Sequence, residues 1–370
     1  MDNKKLAILI HPVNRELLYL YEPGMRAKSI SIVKKVLEWM SPFKASDIEG
    51  IKSQHNGKEV KGELIMCPLL TEQMVSLNPR KIFFKVKRAA KFAENRGINL
   101  LGLVAYTALI GERGSRLKEY LNIPITTGHH LTIATLPEAV LRALREAHYN
   151  LEEMVFLIFG LNPLSFFLIS KLGNSAKKIY IYSRNKEKLE EMKGLLPLRV
   201  KKKVESIGSR FKYILKWVNF IAITTNRIPS GFNLEYLRKG TIILDASYPR
   251  RIVSLRKDVL VIDGVAMRPP GKPQFNFNFG LPEGLCFPCM AEPLTLFLED
   301  RFENYSLGKD FSLEKAEEIF RLSLRHGFQI EALTDREYLI PRERILEFKE
   351  SIRRKEKSFF FLKRWLDLKK

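Results

Sequence analysis

Cysteine is scarce in this chain: three in 370 residues. Three thiols cannot build a disulfide framework, so a small cross-linked secreted scaffold is excluded. Acidic residues are the second shortage, 41 against 63 lysines and arginines, leaving a formal charge of +22. Such a surplus speaks to partners and not to fold. It favours an acidic surface: nucleic acid, anionic lipid or a small acidic protein. No nucleic-acid-binding motif accompanies the charge, which makes nucleic acid the weakest of the three. A membrane span is also missing. The most apolar stretch, "MVFLIFGLNPLSFFLIS" at 154–170, is broken at its centre by Asn162-Pro163, and a span needs about 20 apolar residues. The opening "MDNKKLAILIHPVN" has too short an apolar core for a secretory signal. A reducing cytoplasm is the expected compartment. Zinc-type clusters are absent as well. Cys286 and Cys289 form the one C-x-x-C, with no second C-x-x-C or H-x-x-x-H to complete four ligands. No metal is expected.

What is present is an ordinary 45% apolar content in a chain long enough for two domains. "LAILI" and "ELIMCPL" (63–69) read as buried strands. "PRKIFFKVKRAAKFAENRG" (79–97) is a helix stopping at Gly97, and "INLLGLVAYTALIG" (98–111) a buried strand after it. "LPEAVLRALREAH" (136–148) is a helix with Pro137 near its start, a natural link between domains. Then come "EMVFLIFG", the helical "PLSFFLISKLG", the strand "KKIYIYSRN", the helical "KEKLEEMKGL", and three apolar runs at 219–225, 240–247 and 258–264. Apolar, non-alternating strands interleaved with helices mean a parallel sheet covered on both faces. The fold class is therefore α/β in two domains, the second a Rossmann-like doubly wound parallel sheet. The expected boundaries are 1–135 for an N-terminal α/β substrate domain and 136–290 for the dinucleotide domain. Helices at 291–330 return to the first domain, and 331–370 is a basic extension. Residues 266–284, rich in proline and glycine, read as a long loop.

The turn "IFGLNPLS" joins a strand to a helix, as the dinucleotide fingerprint G-x-G-x-x-G does. Only its first glycine is present, as Gly160. Asn162 and Ser165 stand at the other two places, with Pro163 and Leu164 between them. Asn tolerates left-handed angles and caps helices, and proline suits the first helical position. Where an NAD enzyme carries an acid for the ribose 2′-hydroxyl, this chain has Ser183 and Arg184, a pair suited to a 2′-phosphate. The expected cofactor is NADPH. Thr224 and Thr225 end the next central strand and join the candidate cofactor contacts.

Cys289 stands before "MAEPLTLFLE", which reads as a helix start, where the dipole makes a thiol nucleophilic. Two buried hydrophobes remain the plain alternative for the pair. From about residue 57 to about 330 the chain resembles the long-chain acyl-(acyl-carrier-protein) reductases known best from cyanobacteria. The points of similarity are "GINLLGLVAYTALIG", "ITTGHHLT", "TIILDASYPRR" and Phe287-Pro288-Cys289-Met290-Ala291-Glu292, which matches a Phe-Ala-Cys-Phe-Ala-Glu block. His326-Gly327-Phe328 also matches. The resemblance implies reduction of an acyl thioester to fatty aldehyde with NADPH, with Cys289 carrying the acyl group. Cys286 has no counterpart in that pattern. The family's histidine, two residues after "TTGN", is out of register, because His129 and His130 follow Gly128 directly. His129, His130, Thr107 and Tyr248 are the candidate proton donors. An acidic acyl carrier protein, or acyl-coenzyme A, is the expected partner, and the surplus charge would steer the carrier. "FNFNFG" (275–280) is a candidate lining for an acyl tunnel or a plain strand. The last twenty residues hold 8 basic and 2 acidic side chains, and "SFFFLKRWLDLKK" suits a membrane interface or a docked helix. Two other readings stand beside this one: a shikimate- or amino-acid-dehydrogenase-like oxidoreductase, which needs no thiol, and a catalytically idle nucleotide- or lipid-binding module.

Overall fold

The structure, a computed structural model, describes residues 4–183, 185–247, 250, 252–308, 311–336 and 338–352. It divides into two compact units. The first joins the chain up to Thr135 with Val265–Glu331, and the second joins Leu136–Gly264 with the chain from Ala332 on.

The first unit is built on a six-stranded mixed sheet. Three short apolar runs form its parallel centre: β1 (Leu6–Ile10), with β3 (Gly62–Met66) on one side and β4 (Leu100–Leu103) on the other. All three are buried along their whole length, which is why they read as apolar runs, the one charge among them, Glu63, being paired with Arg96 (2.6 Å). β2 (Phe43–Ile51) pairs antiparallel with β3, and β5 (Ile125–Thr126) adds in parallel beyond β4. "INLLGLVAYTALIG" is a strand only as far as Leu103. The Thr107 hydroxyl then takes the Val104 N–H (3.0 Å) and donates to the Val104 carbonyl (2.7 Å), winding Ala105–Leu109 into a 3₁₀ turn. Residues 266–284 are not one loop. They hold strands at Gly264–Arg268 and Gly271–Gln274, the second pairing with β2. That pairing, together with the Ser46 hydroxyl donating to the Phe275 carbonyl (2.7 Å), explains why the chain rejoins the first unit at Val265 and not after residue 290.

The helix expected from residue 136 begins at His129 and runs to Glu146, with Pro137 inside it. Pro137 cannot donate a backbone hydrogen bond. The chain passes from one unit to the other just before it, at Leu136.

In the second unit six parallel strands stand in one sheet: β6 (Val155–Phe159), β7 (Lys178–Tyr182), β8 (Val204–Ser206), β9 (Phe220–Ile223), β10 (Thr241–Asp245) and β11 (Val259–Ile262). Their spatial order, counted in chain order within the unit, is 3-2-1-4-5-6. This is the doubly wound dinucleotide-binding order, whose switch point lies between the first and fourth strands. Phe159, Ile221, Ile223 and Ile243 pack with Phe211 and Leu215 to form its core on one face. The described part of the expected extension, residues 332–352, belongs to this unit. Its Arg344 guanidinium donates to the carbonyls of Lys257 (3.0 Å) and Arg256 (3.1 Å). Among the described residues no helix is long and apolar enough to cross a membrane. The aromatic tail at 358–370 lies outside them.

One buried cation secures the first unit. Lys85, on the helix Pro79–Asn95, donates to the carbonyls of Leu37 (2.8 Å), Glu38 (2.6 Å) and Met40 (2.6 Å). These close the C-terminal end of the helix Ile30–Trp39, where a positive charge meets the negative end of the helix dipole. Lys85→Met keeps the apolar stem and removes all three bonds. The variant is expected to lose about 3 kcal/mol, read as a lower urea midpoint, and an unchanged midpoint would show that the ammonium contributes nothing net.

Candidate active site

The helix Pro288–Leu298 starts without a side-chain cap, with Pro288 in its first turn. Its residues are buried almost throughout, and Cys289 is the exception, only half-buried. The other two thiols are fully enclosed. Burial pushes Cys67 up to about 12 and Cys286 well above the usual thiol range, the latter helped by nearby Cys289. Cys286 is held by its backbone, exchanging hydrogen bonds with Met267 (2.9 and 2.8 Å). The C-x-x-C thus splits into a packed residue and a reachable one. Among the described residues no group of three or more His, Cys, Asp or Glu side chains is arranged to hold a metal.

What fixes Cys289 lies across from it. Gly128 has φ +70°, and a Cβ built there would fall 2.3 Å from the Cys289 Cα and 2.4 Å from its carbonyl oxygen. The two backbones are in direct contact, and only glycine permits both the angle and the approach. One turn after Cys289, the Glu292 carboxylate is 0% exposed. It accepts the Gly128 N–H (3.1 Å) and the Leu131 N–H (2.9 Å), and it also accepts the Thr126 hydroxyl. A buried acid inside the cysteine helix therefore caps the N-terminus of a second helix, His129–Glu146. Burial raises the Glu292 carboxyl above its usual range, and bonds from Thr126, Ser306, Leu131 and Gly128 oppose that rise.

The two histidines differ. His130 is buried, and both ring nitrogens are engaged. The Ser312 N–H donates to Nε2 (3.1 Å), so the proton sits on Nδ1, which meets the Ser306 hydroxyl at 2.5 Å. Ser306 in turn bonds Glu292, so His130 braces the same acid. His129 takes a hydrogen bond on Nε2 from the Arg113 guanidinium at 2.8 Å. Burial is the main reason its pKa falls to about 3 and that of His130 to about 4. Thr107, a candidate proton donor, is fully buried with its hydroxyl committed to Val104 and Leu9. It holds its own loop. Tyr248 and Arg184 lie outside the described residues.

At the switch point of the second unit Gly160, Asn162, Ser165, Thr224 and Thr225 pack together. Gly160, with φ +113°, would meet the Thr224 hydroxyl oxygen at 2.5 Å if it carried a Cβ, and Thr225 at 3.1 Å. Asn162 caps the helix Pro163–Leu172, accepting the Ser165 N–H at 3.0 Å, and its amide donates to the Thr224 carbonyl at 2.6 Å. Pro163 has no N–H and that of Ser165 is taken, so Leu164 supplies the first-turn donor left for a phosphate. Ser183 follows β7, and its hydroxyl donates to the Asn185 carbonyl (3.0 Å). Gly160, the Leu164 N–H and the two threonines that follow β9 are the groups at this switch point that could meet a dinucleotide.

Ser306, Thr126 and Arg113 escaped the reading of the sequence, and Glu292 entered it only as the last letter of the matched block. The detectable signal was Glu292 itself, a lone acid in the otherwise uncharged run "CFPCMAEPLTLFL". A charge in such a run is buried with partners or is not tolerated.

No protein-family model matches the chain. It is 26% identical over 305 residues to the aminotransferase PigE of a Serratia species, spanning 79% of this chain and 35% of that protein. The chain thus spans about a third of that relative's length. It is 23% identical over 302 residues to the long-chain acyl-(acyl-carrier-protein) reductase of Synechococcus elongatus, covering 75% of this chain and 84% of that one. The relationship is distant. Among solved structures, shikimate dehydrogenase from Aquifex aeolicus aligns over 87% of this chain and 99% of its own, at 14% identity and a TM-score of 0.35. The strand order defines the second unit's fold without such likenesses.

Two outcomes follow from the site. Glu292→Gln keeps the shape but turns one acceptor into a donor facing backbone N–H groups. It is expected to lose about 2 kcal/mol in urea unfolding, and wild-type stability would mean that the carboxylate does not hold the helix start. The second concerns pH. His11, 6% exposed, has its Nε2 occupied by the Tyr106 N–H (3.2 Å), and burial lowers it to about 4. For His11, His129 and His130 the unfolded chain binds protons first. Stability is therefore complete above about pH 6.5 and falls as pH drops towards 4, with His11 alone contributing about 3 kcal/mol. Glu292, raised instead, offsets part of this loss. Urea midpoints at pH 7.5 and 5.0 check the sign, and an equal or higher midpoint at pH 5.0 would contradict it.

Proposed function

We propose that the protein reduces a long-chain fatty acyl thioester, carried by acyl carrier protein or coenzyme A, to the aldehyde with NADPH, through an acyl group held on Cys289. The observation that carries this reading is the isolation of one reachable thiol at a helix start, clamped by Glu292 against Gly128. A thiolate there attacks the thioester carbonyl, and the carrier leaves as its own thiolate. Gly160, Leu164, Ser183, Thr224 and Thr225 would hold the cofactor, with Arg184 beside the 2′-phosphate. NADPH supplies the hydride when bound. The acyl thioester on Cys289 needs no added proton to release aldehyde, since the thiolate is the leaving group. What the protein must provide is a donor for the oxygen that becomes negative.

A small apolar pocket with an open mouth and about 20 Å³ of room lies in the same unit. Val13, Leu17, Leu18 and Met66 line it together with Phe277 and Phe279. Phe279 in turn lies 6.4 Å, ring to ring, from Phe287, which precedes the cysteine helix. Of the aromatics of "FNFNFG", Phe277 and Phe279 line this pocket, and none of the three lies in a strand. These aromatics offer an apolar surface near the cysteine helix, against which an acyl chain would lie with its thioester towards Cys289. The basic surface suits the acidic carrier, and the tail at 358–370 suits a membrane surface that would take up the product.

Incubation with a long-chain acyl thioester followed by intact-mass measurement tests the reading. Wild type and Cys286→Ala are expected to gain one acyl group and Cys289→Ala none. NADPH oxidation that survives intact in Cys289→Ala would favour a dehydrogenase that uses no thiol.

A further inference from the structure

Arg113 stands in an unusual stretch of backbone. Gly111 (φ +62°), Glu112 (+56°), Arg113 (+54°) and Gly114 (+78°) are four successive residues in the left-handed region. Left-handed angles are unfavourable for Glu and Arg, and a run of them persists only where the surroundings enforce it. The turn is held by the Gly114 N–H on the Ile110 carbonyl (3.1 Å) and by the Gly308 N–H on the Arg113 carbonyl (3.0 Å). The guanidinium it presents is half-buried, and among the described residues it has no acidic partner. Its hydrogen bond goes to His129 Nε2.

A guanidinium only donates. Nε2 of His129 must therefore be the bare nitrogen, and the ring proton is confined to Nδ1. Unlike His130, whose two nitrogens are both satisfied by the fold, His129 keeps Nδ1–H without a partner among the described residues. His129 is also the residue after Gly128, whose backbone touches that of Cys289.

Resting on the acyl-thioester reading, we propose that Arg113 is a positioning residue that locks His129 as its neutral Nδ1–H tautomer, and that this N–H stabilises the oxyanion formed when Cys289 is acylated. In that step the Cys289 sulfur bonds to the thioester carbon and the carbonyl electrons move onto oxygen. When they return, the bond to the carrier sulfur breaks, and the departing thiolate takes its proton from water. No cofactor takes part. The histidine gives up no proton, which suits a ring too hard to charge to act as an acid–base catalyst. A neutral donor held in one tautomer needs no reorganisation as the charge develops.

The test uses the full-length protein and two independent readouts. The first is ¹⁵N imidazole NMR without substrate, with the His129 signals assigned from His129→Asn. Wild type is expected to show Nδ1–H and bare Nε2, whereas Arg113→Gly shows a mixed or Nε2–H ring. Glycine suits a left-handed position, so Arg113→Gly removes the guanidinium while relieving the backbone. An Nε2–H ring in wild type overturns the proposal. The second is the rate of acyl-adduct formation, by intact mass, with saturating acyl thioester and no NADPH. Arg113→Gly is expected to slow it about tenfold and His129→Ala about 100-fold, with little change in the half-saturating concentration, whereas Arg113→Lys and His129→Asn recover most of the rate. Wild-type rates in Arg113→Gly or His129→Ala overturn the proposal. If wild type forms no adduct, the acyl-thioester reading fails and takes the oxyanion role with it, and the NMR still decides whether Arg113 sets the tautomer.

Discussion

The first unit depends on one buried carboxylate. Glu292 accepts from Thr126, Gly128 and Leu131, and through Ser306 it reaches His130. A buried carboxyl in such a place is tolerated only because nearly every lone pair finds a donor. The donors come from a turn and a helix start far away in sequence, so the acid welds them to the helix that bears Cys289. The helix His129–Glu146 then begins where Glu292 and Ser306 take its free N–H groups, not where Pro137 would suggest. Gly128 touches the cysteine backbone because the carboxylate draws it there.

The second unit works by a different economy. A fuller dinucleotide turn leaves several N–H groups open for a pyrophosphate. Here Asn162 closes the turn on itself, taking the Ser165 N–H and tying its amide to Thr224. The turn gains rigidity without glycine and presents fewer donors. Gly160 survives because the Thr224 hydroxyl stands where its side chain would be, and that hydroxyl is itself fixed to the Phe159 carbonyl at 3.0 Å. Geometry at the switch point is thus maintained by side chains that replace the missing glycines.

Much of this was legible. The strands buried on both faces, β1, β4, β9 and β10 among them, announce themselves as short apolar runs. β2, a half-exposed strand with polar letters, and β8, three residues long, carry no such mark. The place of Cys289 at the start of an apolar helix was legible. Its surroundings were not, because hydrogen bonds between distant residues leave no periodicity. Thr107 looked like a strand-end donor and proved to be a loop clasp. The ring partners of His130, Ser306 and Ser312, left no trace in the letters. His326-Gly327-Phe328, matched as a motif, is a helix end: Gly327 takes φ +102°, and the N–H groups of Gly327 and Phe328 close on Leu324 and Ser323.

The first unit is also discontinuous in the chain, since its sheet is finished by a strand at Gly271–Gln274 pairing back to β2. During synthesis β2 emerges long before that partner, and the whole stretch Leu136–Gly264 is made in between. The contacts that complete the unit are therefore among the most non-local in the chain, which places their formation late and makes it slow. Gly128 waits for Cys289 through the same interval, with the N-terminus of its helix uncapped until Glu292 arrives. The thiol consequently acquires its setting in the last stage of assembly, after the nucleotide-type unit has all six of its strands. A nascent or truncated chain ending before Glu292 holds neither the cysteine helix nor the acid that orders it.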